Sequence, residues 1–300
     1  MSGSGGEADP RAAQIARDDE EPARLGRLDA RPLRRVHPGD LWQLGAHRLL
    51  CGDSRNAADV LRLLDGHTPD RVDLVFADPP YGLSIVTRRG TVGGGGILGA
   101  TIRRTAKRAT PRASRLSQGT LGSGKIVPAR RYGAMIGDES TQTAIAGFRL
   151  CQALFPRAVQ IWWGGNFYAQ ALPPSRCWLV WDKQNTGRFA DAELAWTNHN
   201  SAVRVFAHRW NGMIKASERG EPRVHPTQKP IALARWCFES YGKPGDVVFD
   251  PFVGSGITLL AGEETGRRVL GCEISADYCA AAIARWEART GESVLLVGAR

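Results

Sequence analysis

Four short apolar runs in this chain each close on an acidic residue. HRLLCGD ends at Asp53, RVDLVFAD at Asp78, DVVFD at Asp250 and RRVLGCE at Glu273. Each run is rich in Val, Leu and Phe and is bounded by turn residues, as in strands buried on both faces. A helical pattern, NAADVLRLLDG, with Asn56 placed to cap it and Gly66 to end it, separates the first two runs. Strand, helix, strand is the unit of a parallel sheet. Ligands of open α/β sheets bind outside the carboxyl ends of the strands. If the four strands are parallel neighbours, four carboxylates line one crevice. Turns favour Asp, so one acid at a strand end is unremarkable, whereas four in four is hard to assign to chance.

The rest of the chain is compatible with one large domain. Its 300 residues can bury a sizeable core, and 42% hydrophobic with 23% charged residues is ordinary for a globular protein. There is no apolar run of 18 residues and no apolar leader core, so neither a membrane span nor secretion is expected, and a cytoplasmic location is. The six cysteines form no CxxC pair, which points to reduced thiols and to no metal site. Residues 1–36 read as a disordered tail and 37–300 as a single domain. After the Pro173-Pro174 break and the strand-like CWLVWDK come shorter runs, AELAWT and AVRVFAH. STQTAIAGFRLCQALF, IALARWCFESYG and GITLLAGEETG read as helices, and Ser275 caps a last one, ADYCAAAIARWEART.

Residues 88–131 interrupt this pattern. They hold eleven Lys and Arg and no Asp or Glu, in a chain whose net charge is +10, so the remainder is nearly neutral. A basic, glycine-rich insertion of this length reads as a mobile loop that attracts a polyanion, with nucleic acid the first candidate. An inert solvated insertion has the same composition.

Two motifs carry chemistry. In DPFVGSG, Gly254 and Gly256 let the backbone turn between a strand and a helix, and Glu273 lies 23 positions beyond Asp250 at the next strand end. That spacing suits a carboxylate that accepts from ribose hydroxyls. The motif has no third glycine, and the chain has no GxxxxGK followed by Ser or Thr, so an adenosine-bearing cofactor without a pyrophosphate fits better than a dinucleotide or nucleoside triphosphate. In FADPPYG, Pro79 and Pro80 fix the backbone beside Asp78 and Tyr81 and cannot donate hydrogen bonds.

Together these residues resemble the β group of amino DNA methyltransferases. DPPY at 78–81 is similar to that family's catalytic motif, DPFVGSG at 250–256 to its S-adenosylmethionine loop, HPTQKP at 225–230 to the segment before that loop, and LLCGDS at 49–54 to the segment before the catalytic motif. Their permuted order, catalytic motif first, matches too, and the resemblance covers about residues 38–290. It implies a Rossmann-like, circularly permuted α/β fold, with a seven-stranded, mostly parallel sheet, one antiparallel strand and helices on both faces. It implies that Asp250, Phe252, Gly254 and Gly256 border the cofactor, Glu273 holds its ribose and Asp53 faces its adenine. Lys229, with Thr227 and Gln228, would approach the cofactor carboxylate, and His225 would be structural.

The resemblance further implies transfer of a methyl group to an exocyclic base amine in double-stranded DNA. Asp78 and the Pro79 carbonyl would accept hydrogen bonds from the amine, Tyr81 would offer a ring for stacking, and the base would be flipped out of the duplex. Asp rather than Ser at position 78 leans the target towards adenine N6, with cytosine N4 as the alternative. A catalytically silent DNA-binding module is the reading of another class, and the intact Asp78 and glycine loop argue against it. Target recognition is expected within 183–224, with Arg188, Arg204, Arg209 and Lys215 as DNA contacts there and Arg103, Arg104, Lys107 and Arg108 in the insertion. The family also allows a homodimer and a companion restriction enzyme.

Overall fold

The computed structural model describes residues 33–64, 69–86, 132, 135–185, 190–210 and 215–299. The insertion at 88–131 and nearly all of the expected tail lie outside the described residues, as do Gly66, Arg103, Arg104, Lys107, Arg108 and Arg188.

Alternating burial builds one sheet with a core on each side. The strands are β1 (Leu41–Leu44), β2 (His47–Cys51), β3 (Leu74–Ala77), β4 (Val159–Trp163), β5 (Trp178–Asp182), β6 (Ala192–Thr197), β7 (Arg204–Ala207), β8 (Val247–Asp250), β9 (Arg268–Glu273) and β10 (Leu295–Gly298). In β3, Leu74 and Phe76 enter one core while Val75 and Ala77 enter the other. The same period of two divides Val248 from Phe249 and Val269 from Leu270. Helices α3 (Ile231–Tyr241), α4 (Ile257–Thr265) and α5 (Ala276–Thr290) cover the first side, and α1 (Ala57–Leu64) and α2 (Gln142–Leu154) the second.

The local signals for helix ends hold where they are described. Asn56 Oδ1 accepts from Ala58 N at the start of α1, Ser275 caps α5 by accepting from Tyr278 N, and Gly266 ends α4 in the left-handed region.

The sheet order is β10-β1-β2-β9-β8-β3-β4-β6-β5-β7. Among the described residues there are ten strands where seven are expected. The central seven, β2-β9-β8-β3-β4-β6-β5, run parallel except β6. The excess is β1 and β10, an antiparallel pair on the β2 edge, and β7 on the far edge. Part of the expected recognition segment belongs to the sheet. Its residues 192–197 are β6, which pairs with both β4 and β5 and buries Ala195, Trp196 and Thr197. No described helix is long and apolar enough to cross a membrane.

Candidate active site

Sheet order brings the four acids together. β2, β9, β8 and β3 are consecutive parallel neighbours, with Cys51 beside Glu273, Asp250 beside Gly271, and Val75 beside Phe249. Asp53, Glu273, Asp250 and Asp78 therefore stand at the same end of four adjacent strands. They line one cleft of about 920 Å³, open to solvent, whose wall also includes Pro79, Pro80, Thr227, Lys229, Phe252 and Gly254.

On the β8–β9 side, carboxylates shape the backbone. Asp250 Oδ1 accepts from Phe252 N at 2.8 Å and Oδ2 from Thr258 Oγ1 at 2.6 Å, tying the loop to the first turn of α4. Glu273 Oε2 accepts from Gly254 N and Oε1 from Ser275 N, each at 2.8 Å, so each oxygen keeps acceptor capacity for a hydroxyl. Asp53 is bound by Arg55, whose guanidinium donates to both of its oxygens. That pairing holds the Asp53 carboxyl below its ordinary value. Gln228 lines the same cleft. Its Oε1 accepts from Val224 N, while its buried Nε2 has no partner among the described residues. His225 also lines the cleft, packed against Tyr278 with ring centroids 4.4 Å apart and planes tilted by 59°. Its Nδ1 faces the backbone N and hydroxyl of Thr227, and burial pushes its pKa down to about 3.

Gly256 does not lie on the cleft wall. It caps α4 with φ +80°, and a Cβ there would stand 2.9 Å from the Ala282 Cβ of α5. The close approach of α5 gives this glycine a helix-packing role.

Burial pushes the Asp250 carboxyl up to about 7, against the hydrogen bonds from Thr258 and Phe252. A carboxyl raised above its unfolded value favours the folded state most below about pH 4, and that contribution is lost as pH rises through about 7. Wild type is therefore expected to lose stability relative to Asp250→Asn between pH 5 and pH 8, by an amount on the order of a few kcal/mol. Thermal melts of both proteins across that range check it, and a difference that stays constant with pH contradicts it.

On the β3 side the site is an ionic cluster. Lys229 Nζ lies 2.5 Å from Asp78 Oδ1, 2.6 Å from Oδ2, 3.0 Å from the Tyr81 hydroxyl and 3.2 Å from Glu193 Oε2. Glu193, from β6, is also paired with Lys183. Lys229 is thus engaged by carboxylates of the chain itself while it lines the cleft. Asp78 Oδ1 accepts from both Lys229 and Tyr81, and Oδ2 from Lys229 alone. A carboxylate oxygen has two lone pairs, so Oδ2 keeps an acceptor position open. The two carboxyls are driven apart. Burial raises Asp78 in spite of Lys229, whereas Lys229 and Lys183 overcome burial at Glu193 and hold it down at about 2. Asp78 is therefore the carboxylate of the pair that takes a proton more readily. Burial alone would lower the Lys229 ammonium, but its two carboxylates raise it.

Tyr81 is not on the cleft wall. Phe167 stacks on its ring at 5.0 Å and 18°, and the ring packs against Gly164. The stacking face expected of Tyr81 is covered, and Phe167, 37% exposed, is the outer ring of that stack. Gly164 has φ +68°, and a Cβ there would fall inside the Tyr81 ring. Gly164→Ala is expected to cost roughly 2–4 kcal/mol through backbone strain and overpacking, and to displace Tyr81 from Asp78. Chemical denaturation checks the first effect, and an unchanged midpoint contradicts it.

Asp138 fixes the chain after Tyr81. Its carboxylate is buried and accepts from the backbone N–H groups of Gly82, Leu83 and Ile85 at 2.8–3.1 Å. Glu193, Lys183 and Asp138 escaped the reading of the sequence. The one available signal is an acid inside the apolar run AELAWT.

Of the described DNA-contact candidates, Arg204 and Arg209 are exposed. Lys215 donates to Glu221 O and lies over the Trp210 ring at 4.8 Å, so it is held by the chain. Among the described residues no three His, Cys, Asp or Glu are grouped to hold a metal.

Comparison with known proteins bears on the second half of the chain. Residues 176–284 match the family model for N6/N4 methyltransferases, described as DNA methylase. The type II methyltransferase M2.DpnII of Streptococcus pneumoniae is 37% identical over 79 residues, which are 26% of this chain and 30% of that protein. YubD of Escherichia coli (strain K12) is 43% identical over 56 residues, 19% of this chain and 25% of that protein. The chain thus matches less than a third of the length of these relatives. Among solved structures, the M1.HpyAVI–SAM complex aligns with a TM-score of 0.41 and 18% identity, covering 79% of this chain and 98% of that one. The cytosine-N4-specific PvuII DNA methyltransferase aligns with a TM-score of 0.47 and 14% identity, covering 80% and 86%. Residues 176–284, with the acidic strand ends of β8 and β9 inside them, are the part of this chain that is similar to the N6/N4 DNA methylases.

Proposed function

We propose that the protein is a DNA methyltransferase that takes its methyl group from S-adenosylmethionine and delivers it to the exocyclic N6 of a flipped-out adenine. The observation that carries this reading is the convergence of Asp78, Asp250, Glu273 and Asp53 on one cleft at the ends of four adjacent parallel strands.

The residues of the cleft fit such a cofactor. Glu273 has acceptor capacity left for ribose hydroxyls, and the orphaned Nε2 of Gln228 is a donor available to an acceptor group of the ligand. With Lys229 engaged elsewhere, Gln228 and Thr227 are the candidates to receive the cofactor carboxylate. When bound, S-adenosylmethionine supplies an electrophilic methyl group on sulfur. The chain's own work is at the amine. Asp78 Oδ2 accepts one N–H, and the Pro79 carbonyl accepts the other, which frees the nitrogen lone pair from the ring. Asp78 then takes the proton that the nitrogen sheds after forming its new bond. Burial that raises the Asp78 pKa suits it to this task. Pro79 and Pro80 hold both acceptors rigidly, and Asp138 anchors the loop behind them. Phe167 presents a ring to the incoming base, and Arg204 and Arg209 are exposed for phosphates.

Expression in a host lacking DNA methylation, followed by nucleoside analysis and sequencing of modified bases, tests the reading. N6-methyladenine at one recurrent site is the expected product. N4-methylcytosine would correct the target base, and unmodified DNA from folded protein would overturn the proposal.

A further inference from the structure

Lys229 has more acceptors than protons. Its ammonium carries three protons, and Asp78 Oδ1, Asp78 Oδ2, the Tyr81 oxygen and Glu193 Oε2 all lie within 3.2 Å. Tyr81 repeats the pattern with one proton and two acceptors, Asp78 Oδ1 at 2.8 Å and Glu193 Oε2 at 3.2 Å. The cluster can therefore exchange one arrangement for another without moving the backbone. It also closes electrically, because Asp78 and Glu193 are matched by Lys229 and Lys183. The side chains are enclosed, with Lys229 4% and both carboxylates 19% exposed.

Resting on the proposed reaction, we propose that Glu193 is a positioning residue for Asp78: it offers the Lys229 ammonium a second seat, so that Asp78 Oδ2 can turn to the target amine. With Lys229 on both of its oxygens, Asp78 Oδ2 offers the amine only its second lone pair. Releasing that oxygen fully in an isolated pair would leave an ammonium proton buried without an acceptor, which is unfavourable. With Glu193 present, the ammonium keeps a carboxylate partner as it turns away from Oδ2. Lys183 sets how strongly Glu193 competes, because it shares the same carboxylate.

The groups that face Asp78 are Lys229 from the segment before α3, Tyr81 from its own loop, Glu193 from β6, Tyr168 from the turn after β4 and Asp250 from β8. Coulomb's law gives the two substitutions opposite signs. Glu193→Gln removes a negative charge and lowers the Asp78 pKa. Lys183→Met removes a positive charge from the Glu193 side and raises it. A role confined to holding the fold would not produce opposed shifts. Each variant leaves one group short, because Glu193→Gln takes the carboxylate from Lys183 and Lys183→Met leaves Lys229 between two carboxylates, but neither strands the Lys229–Asp78 pair. In the first, Lys229 keeps Asp78, and in the second, Glu193 keeps Lys229.

The test is a carboxyl ¹³C titration of Asp-labelled protein without cofactor or DNA, with the Asp78 signal assigned by its loss in Asp78→Asn. The midpoint is expected to move down in Glu193→Gln and up in Lys183→Met. In the methylation assay, Glu193→Gln is expected to lower kcat by about tenfold or more with KM for S-adenosylmethionine unchanged, and to move the acid limb of kcat to lower pH. Glu193→Asp is expected to restore part of the rate. Asp78 midpoints that stay at the wild-type value in both variants, or that move the same way, overturn the proposal, as does a Glu193→Gln enzyme with wild-type kcat and pH profile. If wild type methylates nothing, the proposed function has failed while the ligand-free titration still decides the placing of Lys229.

Discussion

Asp78→Asn is expected to reduce methyl transfer by about a thousandfold or more while leaving S-adenosylmethionine affinity within about twofold. The loss corresponds to about 4 kcal/mol of transition-state stabilisation. The amide keeps the shape of the carboxylate but cannot take the proton that the amine sheds. The fold should survive, because Lys229 retains Glu193 Oε2 at 3.2 Å and is not left as an unpaired buried charge. Cofactor binding should persist because Glu273 and Gln228 stand on the β9 strand end and in the segment before α3, apart from the Asp78 carboxylate. Single-turnover transfer with labelled cofactor, alongside equilibrium cofactor binding, measures both arms. Transfer within tenfold of wild type would remove Asp78 from the mechanism.

Lys229→Met is expected to destabilise the protein by about 3 kcal/mol at pH 8, towards the lower end for removal of one partner of a buried ion pair. Asp78 would keep only the Tyr81 hydroxyl as a donor, while Glu193 would keep Lys183. The loss should be smaller at pH 5. Without the ammonium, the folded Asp78 pKa, already raised by burial, climbs further. The contribution of such a carboxyl is fully present below its unfolded value near 4 and is lost as pH rises through its folded value. Urea denaturation at both pH values measures the gap. A second substitution, Asp78→Asn on the Lys229→Met background, should recover most of the pH 8 loss by removing the stranded carboxylate. An equal loss at both pH values, or no recovery, would mean that Lys229 acts through packing alone.

Several features were legible because their causes are local. Asn56 and Ser275 cap helices as short polar side chains do wherever a helix begins. The runs before Asp53, Asp78, Asp250 and Glu273 are strands because apolar β-rich stretches bounded by turns become strands when both faces are buried. The parallel pairing of β8 with β9 follows from the helix α4 between them. Other features depended on which strand lies opposite which. The AELAWT run reads as a strand, but nothing within it says that β6 sits between β4 and β5, facing the loop after β3. Gly256 reads as a loop glycine, and only the approach of α5 makes it a packing position.

The sequence by itself determined the four acids at strand ends, the glycine turn of DPFVGSG and the stiff DPPY loop, because strand periodicity and backbone freedom act over a few residues. The tertiary structure decided what those groups touch. It alone joined Lys229 to Asp78 across 151 positions, brought Glu193 to both, stacked Phe167 on Tyr81 and set Asp138 beneath the loop. Electrostatic partnership is a matter of distances of a few ångströms in space, and the order of strands in a sheet, which sets those distances, is not the order of strands in the chain.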